Sequence, residues 1–445
     1  MGIRKLAHIF PGRVILFSIF LTIVAGALLL SLPIARIIDV SFIDLLFTAT
    51  SATCVTGLFT IPIGSFTMFG KCVILMLIQI GGLGLITMTL FVMSLFIDLG
   101  LATQLVAGKI LELETWKNIK QFILFIIVMT LTFELIGILC MFPIFATTLP
   151  YPKALFLATF HSVSSFCNAG ITLGDFDIQF INAHASILAI IAFLVFSGGF
   201  GFITWHEILL YFKSRNQKRR HNFSLHTKIV IYGLIATIIT FALVFFVLEY
   251  NHALSKQSFI QKIFSSLFHA ITLRSAGPAT MPLESLHVAT IFFIMIMAFI
   301  GSAPGSTGSG IKITTLAVFL ATIKTAIRGR TSVEIRGRTI ATEQVYKAMA
   351  IIALSIGWIV FTTMCLLITE HHTFMDIFVE VISGFTNLGL SMGITPYLSL
   401  IGKLLIMLSM IIGRIGSLTL ILALKLKTNN EPAGFSYPEE RVMLS

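Results

Sequence analysis

Four short segments of this chain carry residues suited to holding a bare cation with backbone oxygens. They cover residues 47–57, 160–170, 267–277 and 379–389, and they close on Gly57, Gly170, Gly277 and Gly389. Each is rich in Ser, Thr, Ala or Cys. A bulky apolar residue (Phe47, Phe160, Leu267 or Val379) stands ten positions before the glycine. Glycine adopts backbone angles that other residues resist, so the residues just before it can turn their carbonyls one way. A ring of such carbonyls can replace a cation's hydration shell. Four units in one chain can surround one axis. Ordinary turn chemistry would not require four similar approaches to a glycine.

The elements that position these segments must lie in a membrane. The chain is 57% hydrophobic and 11% charged, with mean hydropathy +0.99, whereas charged residues usually make up about a quarter of a soluble domain. Apolar runs recur at 14–32, 72–97, 122–145, 187–212, 229–248, 288–300 with its continuation, 348–368 and 398–424. A bilayer crossing needs roughly 20 residues, so about eight transmembrane helices, without an appended soluble domain, are expected. The first run is too long for a cleaved signal sequence. Between paired runs, residues 41–57, 154–170, 261–277 and 375–389 are too short and polar to cross. Each fits a half-membrane helix followed by extended backbone, which is tolerated at that depth only beside a water-filled cavity or inside protein. Such a helix points its partly negative C-terminal end inward, which favours a cation.

The second helix of each unit supports the repeat. Gly81-Gly-Leu-Gly84-Leu-Ile-Thr87 matches Gly198-Gly-Phe-Gly201-Phe-Ile-Thr204, and Gly413-Arg-Ile-Gly416-Ser-Leu-Thr419 keeps the spacing. Small residues on one helix face allow close helix packing. The expected repeats are 14–97, 120–212, 226–325 and 344–425, with a tail over 426–445. The third is irregular: residues 301–310, Gly-Ser-Ala-Pro-Gly-Ser-Thr-Gly-Ser-Gly, interrupt its second helix. That composition cannot hold a helix. A loop there could block the pore and move aside, so it reads as a gate. It is not a phosphate-binding loop, since Ile311 separates Gly310 from Lys312 and no strand precedes it.

Charges inside spans are functional candidates. Arg414 lies in the glycine-rich part of the fourth inner helix, where a cation could repel permeating ions and bond to loop carbonyls. A structural salt bridge is the alternative. Lys312 follows the loop. Glu134, Glu249 and Glu380 could serve conduction or only satisfy polar neighbours. His161 and His269 stand near the glycine segments without a nucleophile partner, so an intramembrane enzyme is not expected. Broken helices and repeats also occur in coupled transporters, but those usually show two-part repeats rather than four similar units.

Most of the 30 Lys and Arg residues fall on one side: Arg4, Lys5 and Arg13, the loops around 109–120, 213–228 and 324–347, and the tail. The positive-inside bias places both termini in the cytoplasm. It accounts for the +11 net charge without a nucleic-acid partner. The basic stretches 213–220 and 328–338 could also dock an acidic protein surface or anionic lipid headgroups. The cysteines, Cys54, Cys72, Cys140, Cys167 and Cys365, form no metal or disulfide pattern, and His371-His372 reads as interfacial.

These motifs together resemble the Trk, Ktr and HKT superfamily of potassium transporters over nearly the whole chain. The chain is most similar to KtrB-type membrane subunits of bacterial Ktr systems. The resemblance implies an all-α membrane protein of four membrane–pore helix–membrane repeats around a pseudo-fourfold pore, serving potassium uptake across the cell membrane. It implies filter carbonyls from Val55 and Thr56, Asn168 and Ala169, Ser275 and Ala276, and Asn387 and Leu388, beside the four glycines, with K+ held there. In plant relatives a serine at the first filter glycine goes with sodium, so Gly57 favours potassium. The resemblance also implies a gate of Gly305, Ser306, Thr307, Gly308, Ser309, Gly310 and Lys312 with Arg414. It further implies a homodimer on a cytosolic KtrA-like RCK ring that binds ATP or ADP, and possible Na+ activation. The segments lack the full Thr-Val-Gly-Tyr-Gly of tetrameric channels, so fourfold symmetry at the ion is approximate. Arg274 is expected to point away from the ion.

Overall fold

The computed structural model describes residues 11–84, 119–216, 222–274 and 281–416. The first repeat contains α1 (Pro11–Ser31), α2 (Phe42–Cys54) and α3 (Met68–Gly82). The second contains α4 (Ile119–Phe145), α5 (Tyr151–Phe166), a short α6 (Asp175–Ala183), α7 (Ala185–Gly199) and α8 (Phe202–Asn216). The third contains α9 (Leu225–Glu249), α10 (Phe259–Thr272), α11 (Val288–Phe299) and α12 (Ile313–Ile327). A two-residue hairpin, β1 (Glu334–Ile335) and β2 (Arg338–Thr339), leads to the fourth: α13 (Thr342–Thr369), α14 (Phe374–Thr386) and α15 (Leu400–Ile415).

Local chemistry explains the half-membrane helices α2, α5, α10 and α14. Ser41 caps α2 through the Asp44 amide, and Ser258 and Thr373 form capping boxes with Gln261 and Asp376. These satisfy amides that a helix start leaves open. Pro150 and Pro152 open α5 instead, where a missing N–H costs nothing.

The packing closes a ring. The inner helix of each repeat lies on the half-membrane helix of the next: α3 on α5, α7 on α10, α11 on α14, and α15 back on α2. The outer helices α4, α9 and α13, of 27, 25 and 28 residues, exceed the roughly 20 needed to span. They leave apolar side chains such as Leu131, Leu135, Val247 and Ile368 outward, as a hydrocarbon-facing surface does.

The inner helices differ from the continuous spans expected. α3, α7, α11 and α15 have 15, 15, 12 and 16 residues, too few to cross alone. The run at 187–212 is two helices meeting at 94°. The cause is Gly201, whose φ of +91° breaks the helical path. A Cβ there would sit 2.8 Å from the Pro304 carbonyl. Gly84 and Gly416 take the same left-handed region, at +81° and +91°, and end α3 and α15. The second glycine of the repeated motif is therefore a helix terminator. The Thr87 and Thr419 ends of that motif lie outside the described residues, as do the basic residues of 109–117 and the tail. The third inner helix breaks as expected, with residues 300–312 between α11 and α12.

Candidate ion pathway

Three of the four glycine segments share one backbone design. Val55, Asn168 and Asn387, two residues before their glycines, have φ of +60°, +62° and +53°. Gly57, Gly170 and Gly389 follow at +93°, +63° and +81°. In each, the amide between them bonds back five residues: Thr56 N to Ser51 O (2.8 Å), Ala169 N to Ser164 O (2.8 Å), Leu388 N to Ser383 O (2.9 Å). The carbonyls of Val55, Ala169 and Leu388 accept no hydrogen bond from the described residues. Left-handed backbone suits Asn and Gly, whereas a β-branched Val is an outlier there.

The same three segments converge. A Cβ on Gly57 would lie 2.6 Å from the Ala169 carbonyl oxygen and 3.5 Å from Gly389 Cα, and one on Gly389 would run into the Thr56 carbonyl. Thr56 Oγ1 donates to Asn387 Oδ1 at 2.7 Å, tying the first segment to the fourth. Ser275, Ala276 and Gly277 lie outside the described residues. Arg274 just before them is buried and forms no hydrogen bond among the described residues. The apolar residue ten places upstream is fully buried at Phe47, Phe160 and Val379, but Leu267 is 39% exposed.

The first glycine of the inner-helix motif has its own steric role. A Cβ at Gly81, Gly198 or Gly413 would strike the carbonyl of Thr53, Phe166 or Phe385. Each of these carbonyls stands four residues before its segment's glycine. Inner helix and half-membrane helix thus touch backbone to backbone just behind the segment.

The loop between α11 and α12 has a closed neck and a tip under the second segment. Gly301 N bonds Ile311 O at 2.8 Å, and Ile311 N bonds Phe299 O at 3.2 Å. At the tip, Thr307 N reaches Gly198 O (3.1 Å), and Thr307 Oγ1 donates to Phe166 O (2.9 Å). Asn168 Nδ2 donates to Thr307 Oγ1 at 2.5 Å. The Phe202 amide, freed by the bend at Gly201, donates to Gly305 O at 2.8 Å. Ser306 donates to Ala303 O (2.6 Å), and Lys312 Nζ to Gly308 O (2.6 Å). Arg414 holds the other side. Its Nη1 donates to Thr307 O at 2.5 Å and Ser309 Oγ at 3.1 Å, and its Nη2 donates to Gly81 O. The last contact sets a cation at the C-terminal end of α3, where the helix dipole favours it. The loop, Gly310 included, is brought together with Lys312 and Arg414.

The carboxylates of Glu249, Glu370 and Glu380 are occupied by backbone and hydroxyl donors, whereas Glu134 Oε1 has no hydrogen-bond partner among the described residues. Glu249 accepts from the His287 amide (2.9 Å), and Glu380 accepts from Ser391 Oγ (2.7 Å) and Thr395 Oγ1 (2.5 Å). Glu370, which sequence reading did not single out, accepts from Ser399 at the start of α15. It repeats the Glu249 arrangement one unit later. Glu134 is buried in α4, and its carbonyl accepts from Ser162. His269 stacks on Phe245 at 4.8 Å and His161 on Phe145 at 5.9 Å, a packing role. Among the described residues no group of three His, Cys, Asp or Glu could hold a metal.

Sequence reading also missed Ser51, Ser164 and Ser383. The signal was present, a serine six places before the glycine in three segments; the third has Ile271 there.

Comparison with known proteins agrees with this architecture. Residues 15–432 match the family model described as TrkH, cation transport protein. The chain is 35% identical to the Ktr system potassium uptake protein B of Bacillus subtilis, covering 97% of this chain and 96% of that protein. It is 32% identical to the potassium/sodium uptake protein NtpJ of Enterococcus hirae, covering 98% and 97%. In fold it is similar to the potassium transporter TrkH of Vibrio parahaemolyticus, with TM-score 0.70, 18% identity, and coverage of 93% of this chain and 84% of that one. A ring of four repeats, three matching glycine segments and a matched family over nearly its whole length identify this chain as a member of the TrkH family of cation transport proteins.

Proposed function

We propose that this chain conducts potassium into the cell through a filter built from its four glycine segments. The observation that carries the reading is the convergence of Val55–Gly57, Asn168–Gly170 and Asn387–Gly389 in one backbone conformation. Ser275, Ala276 and Gly277 complete the ring in this reading. The half-membrane helices aim their partly negative ends at it, and the carbonyls before each glycine take the place of water around K+. The names of the B. subtilis and E. hirae relatives support potassium as cargo, with sodium as the competing ion.

In this reading the loop at Gly305–Gly310 is the gate, in its closed position, and Arg414 is its latch. Thr307 anchors it to the second repeat and Arg414 to the first and fourth. Both termini and the basic loops lie in the cytoplasm, following the positive-inside bias. The chain works as a homodimer on a KtrA-like RCK ring, whose ATP or ADP state sets the loop's position, and Na+ acts as an activator. The resemblance to Ktr membrane subunits supports these partners.

The test is rubidium and sodium flux into proteoliposomes containing the chain alone, beside Gly57→Ser. A serine Cβ would crowd the Ala169 carbonyl and strain a left-handed backbone. Rubidium preference that weakens in the variant is expected. Unchanged relative fluxes overturn the filter assignment. Uptake that appears only under an imposed coupling gradient overturns passive conduction.

A further inference from the structure

A cavity of about 160 Å³ lies where the C-terminal end of α12 meets the β1–β2 hairpin. Its cationic lining is Lys324, Arg328 and Arg330, with hydroxyls from Thr325 and Ser332 and one carboxylate, Glu334. That carboxylate is already engaged, by Arg330 Nη1 at 3.3 Å and Ser332 Oγ at 3.4 Å. Lys324 and Arg328 pair with no carboxylate among the described residues. The pocket therefore holds surplus positive charge. It offers few competing acceptors, because the last α12 carbonyls are taken: Lys324 O by the Arg328 amide, Thr325 O by Arg330, and Ala326 O by Gly329. A phosphate is an anion that such a set of N–H and O–H donors fits.

The surroundings indicate the source of the phosphate. The hairpin is fastened to the outer helix α9 by Arg336, whose guanidinium lies 3.9 Å from the Tyr232 ring centroid. Tyr232 is exposed and continues into an exposed apolar strip, Ile235, Ile239 and Leu243. On α12 itself, Leu320, Ile323 and Ile327 are exposed, Ile327 at 80%, and the pocket-lining residues Lys324, Thr325 and Arg328 directly follow Ile323 and Ile327 in sequence. Tyr residues favour the level of lipid headgroups. A cationic pocket at the end of an apolar, chain-facing strip is the shape of a phospholipid: phosphate in the pocket, acyl chain along α12. A dissolved phosphate or nucleotide would have no use for the strip.

We propose that Lys324, Arg328 and Arg330 bind the phosphate of an anionic phospholipid, with its acyl chain against Ile323 and Ile327. The lipid would brace the hairpin that joins the gate-bearing third repeat to the fourth. The inference rests on the chain lying in a membrane; it does not require the filter or gate assignments.

The full-length chain is purified and its bound lipid measured by native mass spectrometry after exchange into equal phosphatidylglycerol and phosphatidylcholine. The double variant Lys324→Gln/Arg328→Gln is compared with Arg338→Gln, which lies outside the pocket lining. Rubidium flux in each variant verifies that the protein is folded. Phosphatidylglycerol preference should fall about 30-fold in the double variant, the equivalent of about 2 kcal/mol for two basic residues at a membrane surface. It should hold in Arg338→Gln. Equal preference in wild type and double variant, with flux intact, overturns the proposal. Displacement of the lipid by millimolar glycerol phosphate overturns the acyl-chain contact and leaves a site for dissolved phosphates instead. A double variant that keeps its lipid but no longer binds a purified RCK ring assigns the pocket to protein docking and likewise overturns it. A double variant without flux is replaced by Lys324→Arg/Arg328→Lys, which keeps both charges and is expected to retain the lipid.

Discussion

Arg414 donates to the main-chain carbonyl of Thr307, 2.5 Å away, across 107 residues of sequence. The same guanidinium donates to Gly81 O of the first repeat. Arg414 stands where the other matching motifs have Gly82 and Gly199, so one side chain bonds to the elements around it. Arg414→Gln removes charge-assisted bonds worth about 1.5–3 kcal/mol. Rubidium flux through the chain alone should rise by about tenfold or more. Arg414→Lys should rescue only partly, since an ammonium lacks the planar fork that reaches two carbonyls. Flux at the wild-type level in Arg414→Gln would remove the latch role.

Thr307 makes the loop's contacts with the second segment through its hydroxyl. Thr307→Val keeps the shape and removes the bond to Phe166 O and the acceptor for Asn168. At about 1 kcal/mol for each bond, the loop should leave its closed position about 10–30 times more often. Flux recordings on Thr307→Val, Asn168→Ala and the double variant would show less than additive gains, because both singles break one shared contact.

Gly413→Ala places a methyl against the Phe385 carbonyl, a backbone atom that cannot swing aside. The fourth inner helix must then lift off α14. A loss of about 3 kcal/mol is expected, in line with overpacking, seen as a lower unfolding temperature in detergent. Gly357→Ala, where an added Cβ meets nothing within 4 Å, is the matched control and should leave that temperature unchanged or raise it.

Val55 is the one member of its set without an amide side chain. Its φ of +60° costs of order 1 kcal/mol for a β-branched residue. Val55→Asn, copying Asn168 and Asn387, should stabilise the chain by about that amount in thermal unfolding. A destabilised variant would mean that Val55 contributes more through packing beside Gly81 than it costs in backbone strain.

The plan of the molecule was readable because each unit repeats its own signals. Half-membrane helices start at Ser41, Ser258 and Thr373 and lie within a few residues of the expected limits, since caps and glycines are local chemistry. The break after Phe299 was legible for the same reason. The bend at Gly201 was not. Hydropathy averages across it, and a Gly-x-x-Gly spacing means close packing in one context and chain reversal in another. Only the Pro304 carbonyl beside Gly201 decides between them. Partners such as Thr56 with Asn387, or Asn168 with Thr307, join distant repeats. Their pairing follows from the order of units around the ring, which no single segment encodes. Glu370 went unremarked because a carboxylate near a helix end looks like surface until the amide it caps is known.

The ring is fourfold in its helices, and among the described residues the loop of the third unit, between α11 and α12, reaches beneath the second segment. Four equivalent lips would open like an iris, through intermediate apertures. In the proposed reading one loop, tied at its neck by the Gly301–Ile311 bond, serves as the gate for the whole pathway. If that loop is the gate, conductance through one chain should switch between closed and fully open without fractional steps, and in the proposed homodimer each pore should switch on its own.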